Sequence, residues 1–204
     1  SRFKTTVTWW LGQRFSKQKI EPAHRLDVET SGILICSKHV AGDRALKSAF
    51  ARGEVKKTYL AFVRSHPPVR SWSVDTPLGF DSESRVRLKM GRGDLPAKTR
   101  FEVVESFPSG TLVSAHPLTG RQHQIRVHLA LGGHAILGDK IYGPDEGLFL
   151  AHLERGLSLD ELELLGHHRL ALHSTKTAFQ YLGRDFVFSA PLPPDLALLH
   201  QILL

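Results

Sequence analysis

The pattern of apolar and polar positions predicts short strands with a few helices between them. Residues 33–36 are a short β-branched apolar run, which predicts a buried strand. Residues 57–63 alternate as a half-buried strand does. Between residues 40 and 52, apolar side chains recur at helical spacing, and Gly53 is a natural stop. The first third of the chain therefore predicts strand, helix and strand.

The rest of the chain is richer in strands than in helices. Thr119, followed three residues later by Gln122, matches a capping box, so a helix is expected to start there and to end at Gly132 and Gly133. The acidic stretch 157–165 is expected to be a surface segment or an insertion, and residues 196–204 are expected to form a closing helix. Strands are expected at residues 73–90 (short, around a turn at 79–84), 99–105, 111–115, 170–173, 177–182 and 185–189.

This order of elements predicts the fold class. Helices lie between strands without alternating regularly, which favours an α+β fold with a mixed, largely antiparallel sheet over a doubly wound nucleotide fold. No internal repeat, low-complexity tract or long linker interrupts the 204 residues, so a single domain over residues 1–204 is expected.

Composition and charge narrow the functional classes. No apolar run approaches the ~18–20 residues of a membrane span. The single cysteine, Cys36, excludes a disulfide framework and multi-thiolate metal sites, and it fits a reducing, cytoplasmic setting. The net charge is +7, but residues 1–70 alone carry +9 and the remainder −2. Such a basic half suggests a polyanionic partner, of which nucleic acid is the commonest, although a merely soluble basic protein is the alternative.

The first cluster of polar residues spans positions 24–32 (HRLDVETSG), just before the apolar run. Asp27 lies in a loop with Arg25 and several hydrogen-bond donors, a setting that keeps a carboxylate ionised and nucleophilic. A simple turn, in which Asp27 accepts backbone N–H groups, is the other interpretation.

The second cluster spans positions 119–128 and places Arg121, Gln122, His123, Gln124 and Arg126 in the first turns of the expected helix. Positive charge at a helix start is disfavoured by the helix dipole, so a compensating anion is expected. That anion is either a substrate phosphate or a carboxylate such as Asp27. A solvated helix face is the alternative.

Metal and nucleotide chemistry find little support in the sequence. It has no phosphate-binding GxxxxGK[ST] loop, no GxGxxG turn and no HExxH. Among its twelve histidines, His123 and His128 are five residues apart, a poor helical chelate, and the adjacent His167 and His168 do not easily face one ion. No metal site is expected.

Together, the two clusters resemble the RluA-type pseudouridine synthase family. HRLDVETSG at 24–32 matches the family's HRLDxxTSG element, and LTGRQHQIRVHLALGGHAILGDKIYG at 118–143 is similar to its second long element. Shorter segments at 56–63, 97–105, 169–174 and 186–196 also resemble family segments in the same order. The resemblance therefore covers roughly residues 24–196.

The resemblance implies a long, bent, mixed sheet with a cleft across its middle. It also implies isomerisation of selected uridines in ribosomal or transfer RNA to pseudouridine without cofactor or metal. Asp27 matches the family's catalytic aspartate, Arg126 matches the arginine that pairs with it, and Tyr59 matches the tyrosine that stacks on the target base. Tyr59 is also a possible acceptor of the proton from carbon 5 of the base. On residue pattern alone, Tyr59 is a core aromatic of a strand.

The resemblance also implies residues that bind the RNA. Arg25 is the candidate for helping to flip the base or for holding a phosphate, with a structural salt bridge as the alternative. Leu172 resembles an apolar residue that flanks the base. Contacts to the RNA, chiefly to phosphate, are expected from Lys56, Lys57, Arg121, His123 and Gln124. A monomer is expected.

One segment departs from the family pattern. Residues 1–20 match poorly, since the expected strand with Lys-Pro and a following Gly is not found there, and no separate RNA-binding domain is found in the 204 residues. The sequence leaves two other functions open. The first is an RNA-binding or chaperone domain of the same fold with little turnover, and the second is a base-processing enzyme that releases free uracil.

Overall fold

The computed structural model describes residues 6–204, so the first five residues of the poorly matched segment lie outside the described part. The helices of this part are α1 (Val7–Arg14), α2 (Val40–Ala51), α3 (Gln124–Leu131), α4 (Gly147–Glu154), α5 (Leu159–Leu165) and α6 (Pro194–Leu203). The strands are β1 (Glu21–Pro22), β2 (Ser31–Gly32), β3 (Cys36–Ser37), β4 (Lys56–Val63), β5 (Ser71–Asp75), β6 (Leu78–Phe80), β7 (Met90–Arg92), β8 (Lys98–Phe107), β9 (Gly110–Pro117), β10 (Leu172–Tyr181) and β11 (Arg184–Ser189). Within residues 6–204, no helix is long and apolar enough to cross a membrane.

One large sheet organises these elements. Its strand order is β11-β10-β4-β9-β8-β5, and β2 joins it beside β10. The neighbouring strands are antiparallel, apart from β2 and β10, which run parallel. The strands β1 and β3 form a small second sheet, and β6 and β7 form a third. The predicted α+β class with a mixed, largely antiparallel sheet is confirmed.

The main hydrophobic core lies on the central strands. Phe62 of β4, Phe101 of β8 and Val113 of β9 are all 0% exposed. Helix α3 packs onto them through Leu129, and α6 does so through Leu196. Because full burial of a leucine side chain contributes roughly 1.5–3 kcal/mol, these contacts hold both helices on the sheet.

Several elements match the sequence pattern closely. The helix expected at 40–52 is α2, and Gly53 follows its end with a φ of +72°. The hairpin expected from 99–105 and 111–115 is β8 and β9. The closing helix expected at 196–204 is α6, with Pro194 in its first turn. These predictions are confirmed.

The prediction of a buried strand at 33–36 is wrong. Residues 33–35 form an irregular, half-buried link between β2 and β3. Its backbone contacts are isolated: Ile33 N donates to Ser174 O at 3.0 Å, and Ile35 O accepts from Ala23 N at 2.9 Å. The β-branched run therefore lies against the sheet without a continuous ladder.

The predicted capping box of Thr119 and Gln122 is also wrong. Helix α3 begins only at Gln124, and His123 before it takes a left-handed conformation, with a φ of +55° and no side-chain cap. The Thr119 hydroxyl instead donates to Gln124 Oε1 at 2.6 Å and accepts from Lys98 N at 3.1 Å. Residues 120–123 thus form a turn that precedes the helix.

Further differences concern the second half and the N-terminal region. The acidic stretch 157–165 contains helix α5, which has a true capping box of Ser158 and Glu161. The strands expected at 170–173 and 177–182 belong to one strand, β10, with an irregularity between Ser174 and Lys176. Helices α1 and α4 had no predicted counterpart.

Candidate active site

The two sequence clusters meet in one cavity of about 440 Å³. The loop before β2, strand β4, Thr119 with the turn 120–123, and the start of α3 contribute most of its wall. Its lining includes the predicted site residues Arg25, Asp27, Lys57, Tyr59, Arg121, His123, Gln124, Arg126 and Leu172. Lys56 lies at the exposed start of β4 and is not part of this lining.

Asp27 and Arg126 form an ion pair in this cavity. Arg126 Nη1 donates to Asp27 Oδ2 at 3.2 Å, although the two residues are 99 positions apart. The side chains are 7% and 17% exposed, so water reaches them only partly. The compensating anion expected near the helix start is therefore a carboxylate of the protein itself.

Asp139 is the second partner of Arg126, and it was not among the site residues predicted from the sequence. Arg126 Nε and Nη2 donate to its two carboxylate oxygens, each at 2.8 Å. The Asp139 side chain is 0% exposed, and its Oδ1 also accepts from Ile141 N and Tyr142 N at 3.0 Å. The available signal was a pair of charged residues, Asp139 and Lys140, inside the largely apolar stretch 135–142.

The charges of Arg126 and of the carboxylates Asp27 and Asp139 stabilise one another. Burial alone would raise the pKa of Asp139, but the Arg126 guanidinium and the two backbone N–H groups lower it below its usual value. Burial acts to lower the pKa of Arg126, but the Asp139 and Asp27 carboxylates raise it overall. Arg126 therefore stays charged, and its guanidinium lies 4.9 Å from the centre of the Tyr142 ring.

Tyr59 lines the same cavity from strand β4, where it pairs with Ala115 of β9 and Ser174 of β10. Its side chain is largely buried. Burial raises the pKa of Tyr59 to about 12, and the negative charge of Asp27 adds to this rise. The phenol is therefore neutral at physiological pH.

The loop that carries Asp27 is held by His24. His24 Nε2 accepts from Ile35 N at 3.0 Å, and its ring stacks on Phe50 with centroids 4.4 Å apart. Burial lowers the pKa of His24 to about 4, so the imidazole is neutral and its Nε2 is free to accept. The next residue, Arg25, is exposed at the cavity, and its guanidinium forms no hydrogen bond or ion pair with any residue between 6 and 204. The alternative of a structural salt bridge for Arg25 thus finds no partner in residues 6–204.

The other predicted RNA contacts differ in how free they are. Lys57 Nζ donates to Thr119 O at 3.4 Å, and burial lowers the pKa of Lys57. Arg121 is exposed, and only its Nε is bonded, to Pro96 O at 3.0 Å. Lys57 and Arg121 thus keep donors for a ligand.

Gln124 and His123 are engaged within the protein. The buried Gln124 amide bonds Thr119, Arg121 N, Lys98 O and Thr99 Oγ1. His123 Nδ1 lies 2.8 Å from the Tyr142 hydroxyl, and burial and the positive charge of Arg126 lower its pKa to about 4. In this structure both side chains shape the cavity wall. Leu172, the apolar residue predicted to flank the base, is 3% exposed on the same wall.

One group among residues 6–204 has the side chains to hold a metal ion. Ligand atoms of His167, His168 and Asp195 all lie within 4.8 Å of one another, so the expectation that the two histidines do not easily face one ion is corrected. However, Arg169 Nε and Nη2 donate to the Asp195 carboxylate at 2.6 and 3.0 Å. This guanidinium already neutralises the carboxylate and opposes a second cation.

The fold is similar to that of a solved human protein. The structure titled Human RNA Pseudouridylate Synthase Domain Containing 1 matches with a TM-score of 0.77 and 24% identity, covering 99% of this chain and 86% of that one. The fold is therefore that of the RNA pseudouridylate synthases.

A family model and several known proteins match the sequence of this chain. A family model described as RNA pseudouridylate synthase matches residues 5–131. The dual-specificity RNA pseudouridine synthase RluA of Pasteurella multocida (strain Pm70) is 39% identical over 176 residues, which cover 84% of this chain and 73% of that protein. RluA of Salmonella typhimurium (strain LT2) is 42% identical over 133 residues, covering 64% of this chain and 61% of that protein. The chain belongs to the RluA-type RNA pseudouridine synthase family.

Proposed function

We propose that this chain isomerises uridines in ribosomal or transfer RNA to pseudouridine, with Asp27 as the catalytic carboxylate. The observation that carries the proposal is the Asp27–Arg126 pair at 3.2 Å in a cavity that Tyr59 also lines. The relatives named RNA pseudouridine synthases support the reaction class. The description "dual-specificity" in their names supports an RNA substrate of more than one kind.

The reaction moves uracil from a nitrogen to a carbon glycosidic bond. In one route, an Asp27 oxygen attacks carbon 1′ of the ribose, and the electrons of the broken bond leave with the uracil. In the other route, Asp27 removes the 2′ proton and uracil leaves to give a glycal. In both routes the base rotates before carbon 5 bonds to carbon 1′. In the first route this bond displaces the Asp27 oxygen from carbon 1′, and in the second the proton held by Asp27 returns to carbon 2′. The carbon 5 proton is then lost, and N1 of the base takes up a proton. Arg126 holds the carboxylate in place for either route.

Tyr59 and Leu172 fit the role of a binding site for the base. The target uridine has to leave its stack to reach the cavity, and an aromatic face replaces the lost stacking. A neutral phenol, with a pKa of about 12, is a poor proton acceptor. Its pKa therefore supports a stacking role for Tyr59 over the removal of the carbon 5 proton.

Arg25, Lys57 and Arg121 fit the role of RNA contacts. All three line the cavity and carry donors that the described residues leave free. Arg25 lies two residues before Asp27, and its guanidinium is unpaired within residues 6–204. It is placed to hold a phosphate or to occupy the space of the flipped base. We assign His123 and Gln124 to shaping the wall around the ligand, since their polar atoms are bonded within the protein.

We further propose a cytoplasmic monomer. The single cysteine, Cys36, is consistent with a reducing compartment. The oligomeric state is tested by light scattering of the purified chain, for which a mass near 22.8 kDa is expected.

The experiment that tests the reaction uses transfer and ribosomal RNA labelled with tritium at carbon 5 of uracil. The expected result is tritium release and pseudouridine in the digested RNA, with no free uracil. Free uracil in the supernatant would identify a base-releasing enzyme instead. RNA binding without tritium release would favour the RNA-binding or chaperone function.

A further inference from the structure

Glu29 has a backbone conformation that a glutamate rarely adopts. Its φ is +72°, and it is the third residue of a turn that Thr30 N closes on Asp27 O at 3.0 Å. Turns with a positive φ at this position favour glycine. A larger residue in such a conformation, two residues after the proposed catalytic carboxylate, points to a role for its side chain.

The Glu29 side chain and backbone are both anchored. Lys140 Nζ donates to both carboxylate oxygens, at 2.8 and 2.9 Å. Leu170 N donates to Oε2 at 3.1 Å, and Arg169 Nη1 donates to the Glu29 carbonyl oxygen at 2.8 Å. The turn 27–30 is thereby fixed to two other segments of the chain.

The ammonium group of Lys140 is fully engaged in hydrogen bonds within the protein. Its side chain is 5% exposed, and Nζ also donates to His168 O at 3.1 Å, so three acceptors surround the ammonium group. A buried lysine is costly unless it is paired and fully hydrogen-bonded, and here it is. Lys140 takes no direct part in any step of the proposed reaction.

Lys140 directly follows Asp139, and this adjacency links the two contacts. Asp139 holds the guanidinium of Arg126, whereas Lys140 holds the turn that carries Asp27. Two neighbouring side chains of one short segment therefore anchor the opposite halves of the Asp27–Arg126 pair.

We propose that Glu29 and Lys140 form a positioning pair, which sets where the Asp27 carboxylate lies relative to Arg126 and to the bound ribose. This role for Glu29 and Lys140 rests on the proposed function, because it concerns the position of Asp27 in that reaction. Neither residue is a catalytic residue, because both act through the turn 27–30. A displacement of about 1 Å at a reacting group is enough to slow a reaction about 100-fold.

The test compares Lys140→Met with the double variant Glu29→Gln/Lys140→Met. The single change leaves the Glu29 carboxylate without its ammonium partner, whereas the double variant leaves no unpaired charge and is expected to fold. Arg155→Met is the matched control, since it removes an exposed ion pair with Glu161 in the α4–α5 region. Tritium release in single turnover, the Kd for RNA and the melting temperature are measured for all of them.

We expect the double variant to lose at least tenfold in single-turnover rate while its Kd for RNA stays within about twofold. Arg155→Met is expected to keep both values. A purely structural role would lower the melting temperature and leave the rate of the folded protein unchanged, and this result would overturn the inference. A rate loss matched by an equal loss of RNA binding would also overturn it.

A second measurement does not depend on activity. Hydrogen exchange of the Thr30 amide, which bonds Asp27 O, is expected to become at least tenfold faster in the double variant. Unchanged exchange would overturn the inference. If the parent chain showed no tritium release, the proposed function would fail, and the Thr30 exchange would still decide whether Glu29 and Lys140 hold the turn.

Discussion

At the scale of single residues, Arg126 serves two carboxylates at once. Nε and Nη2 bond Asp139, and Nη1 bonds Asp27. A planar guanidinium can present these donors in fixed directions, whereas a lysine ammonium acts as a single compact charge. The arrangement therefore depends on the shape of arginine as well as on its charge.

Replacing Arg126 by lysine tests this dependence. An ammonium group cannot pair bidentately with Asp139 and still reach Asp27, so we expect Arg126→Lys to lower the rate of tritium release at least tenfold. The rate is measured in single turnover with RNA in excess of its Kd. A rate within twofold of the parent would show that charge alone suffices.

His24 predicts a pH dependence of stability. In the unfolded chain it takes up a proton near pH 6.5, but in the folded protein burial lowers its pKa to about 4. Between these two pH values the unfolded state therefore binds more protons than the folded state. The contribution of His24 to the free energy of unfolding is complete above about pH 6.5 and decreases as the pH falls towards 4. The decrease is at most about 1.4 kcal/mol per pH unit.

Urea unfolding at pH 7 and pH 5 measures this contribution. His24→Gln is expected to show a weaker loss of stability between the two pH values than the parent does. His152→Gln, which changes an exposed histidine of α4, is the control and is expected to behave as the parent. Equal pH dependence in His24→Gln and the parent would contradict the assignment.

At the scale of elements, the sequence pattern predicts best where one pattern covers a whole element. Strand β8 alternates buried and exposed residues, and its partner β9 joins it through a short hairpin. The pattern is misleading where local signals compete with tertiary contacts. Thr119 has the sequence of a helix cap, but its hydroxyl bonds Gln124, and residues 120–123 take a turn.

In the candidate site, too, residues within local motifs could be predicted, whereas tertiary contacts could not. Asp27 and Arg126 stand out within two clusters of polar residues, whereas Tyr59 is assigned only through the family resemblance. The structure brings all three to one cavity. The partners Asp139 and Lys140 could not be assigned from the sequence alone. Their contacts join segments that lie 13 and 111 positions apart, and no local pattern encodes such a pairing.

The backbone of Gly138, directly before Asp139, is expected to restrict which residues this loop accepts. Gly138 has a φ of +74°, and a Cβ there would collide with the Arg169 carbonyl group. We expect Gly138→Ala to destabilise the protein by at least about 2 kcal/mol, from the left-handed backbone plus the clash. Gly133 is the matched control, because its φ is +78° and a Cβ there would meet nothing within 4 Å.

Urea unfolding of both variants separates the two contributions. Gly133→Ala carries only the backbone strain and is expected to lose about 1 kcal/mol. Equal losses in the two variants would show that the Arg169 carbonyl group does not restrict this loop.

At the scale of the whole molecule, charge and cavity lie together. The net charge of +9 over residues 1–70 includes Arg25 and Lys57, and both line the cavity with Asp27. Arg121 adds a further cation from the opposite cluster. This concentration of positive charge around a carboxylate suits a substrate whose phosphates surround the reacting ribose.

RNA affinity is therefore expected to fall steeply with salt. Each phosphate contact contributes about −0.7 to the slope of log K against log salt for single-stranded RNA. Arg121→Gln is expected to make this slope shallower by about that amount, and Arg155→Gln, on the exposed Arg155–Glu161 pair, is expected to leave it unchanged. The slope is measured by RNA titration at salt concentrations between about 50 and 200 mM. A slope near zero for the parent would contradict the proposal that cations around the cavity contact RNA phosphates.

The role of Asp27 as the catalytic carboxylate is tested most directly by the single-turnover rate of Asp27→Asn on RNA labelled with tritium at carbon 5 of uracil. The amide keeps the shape of the side chain and can still accept from Arg126, but it can neither attack carbon 1′ nor remove the 2′ proton. We predict a loss of at least about 1,000-fold in rate with RNA binding within twofold of the parent. Tritium release by Asp27→Asn within about tenfold of the parent rate would contradict Asp27 as the catalytic carboxylate.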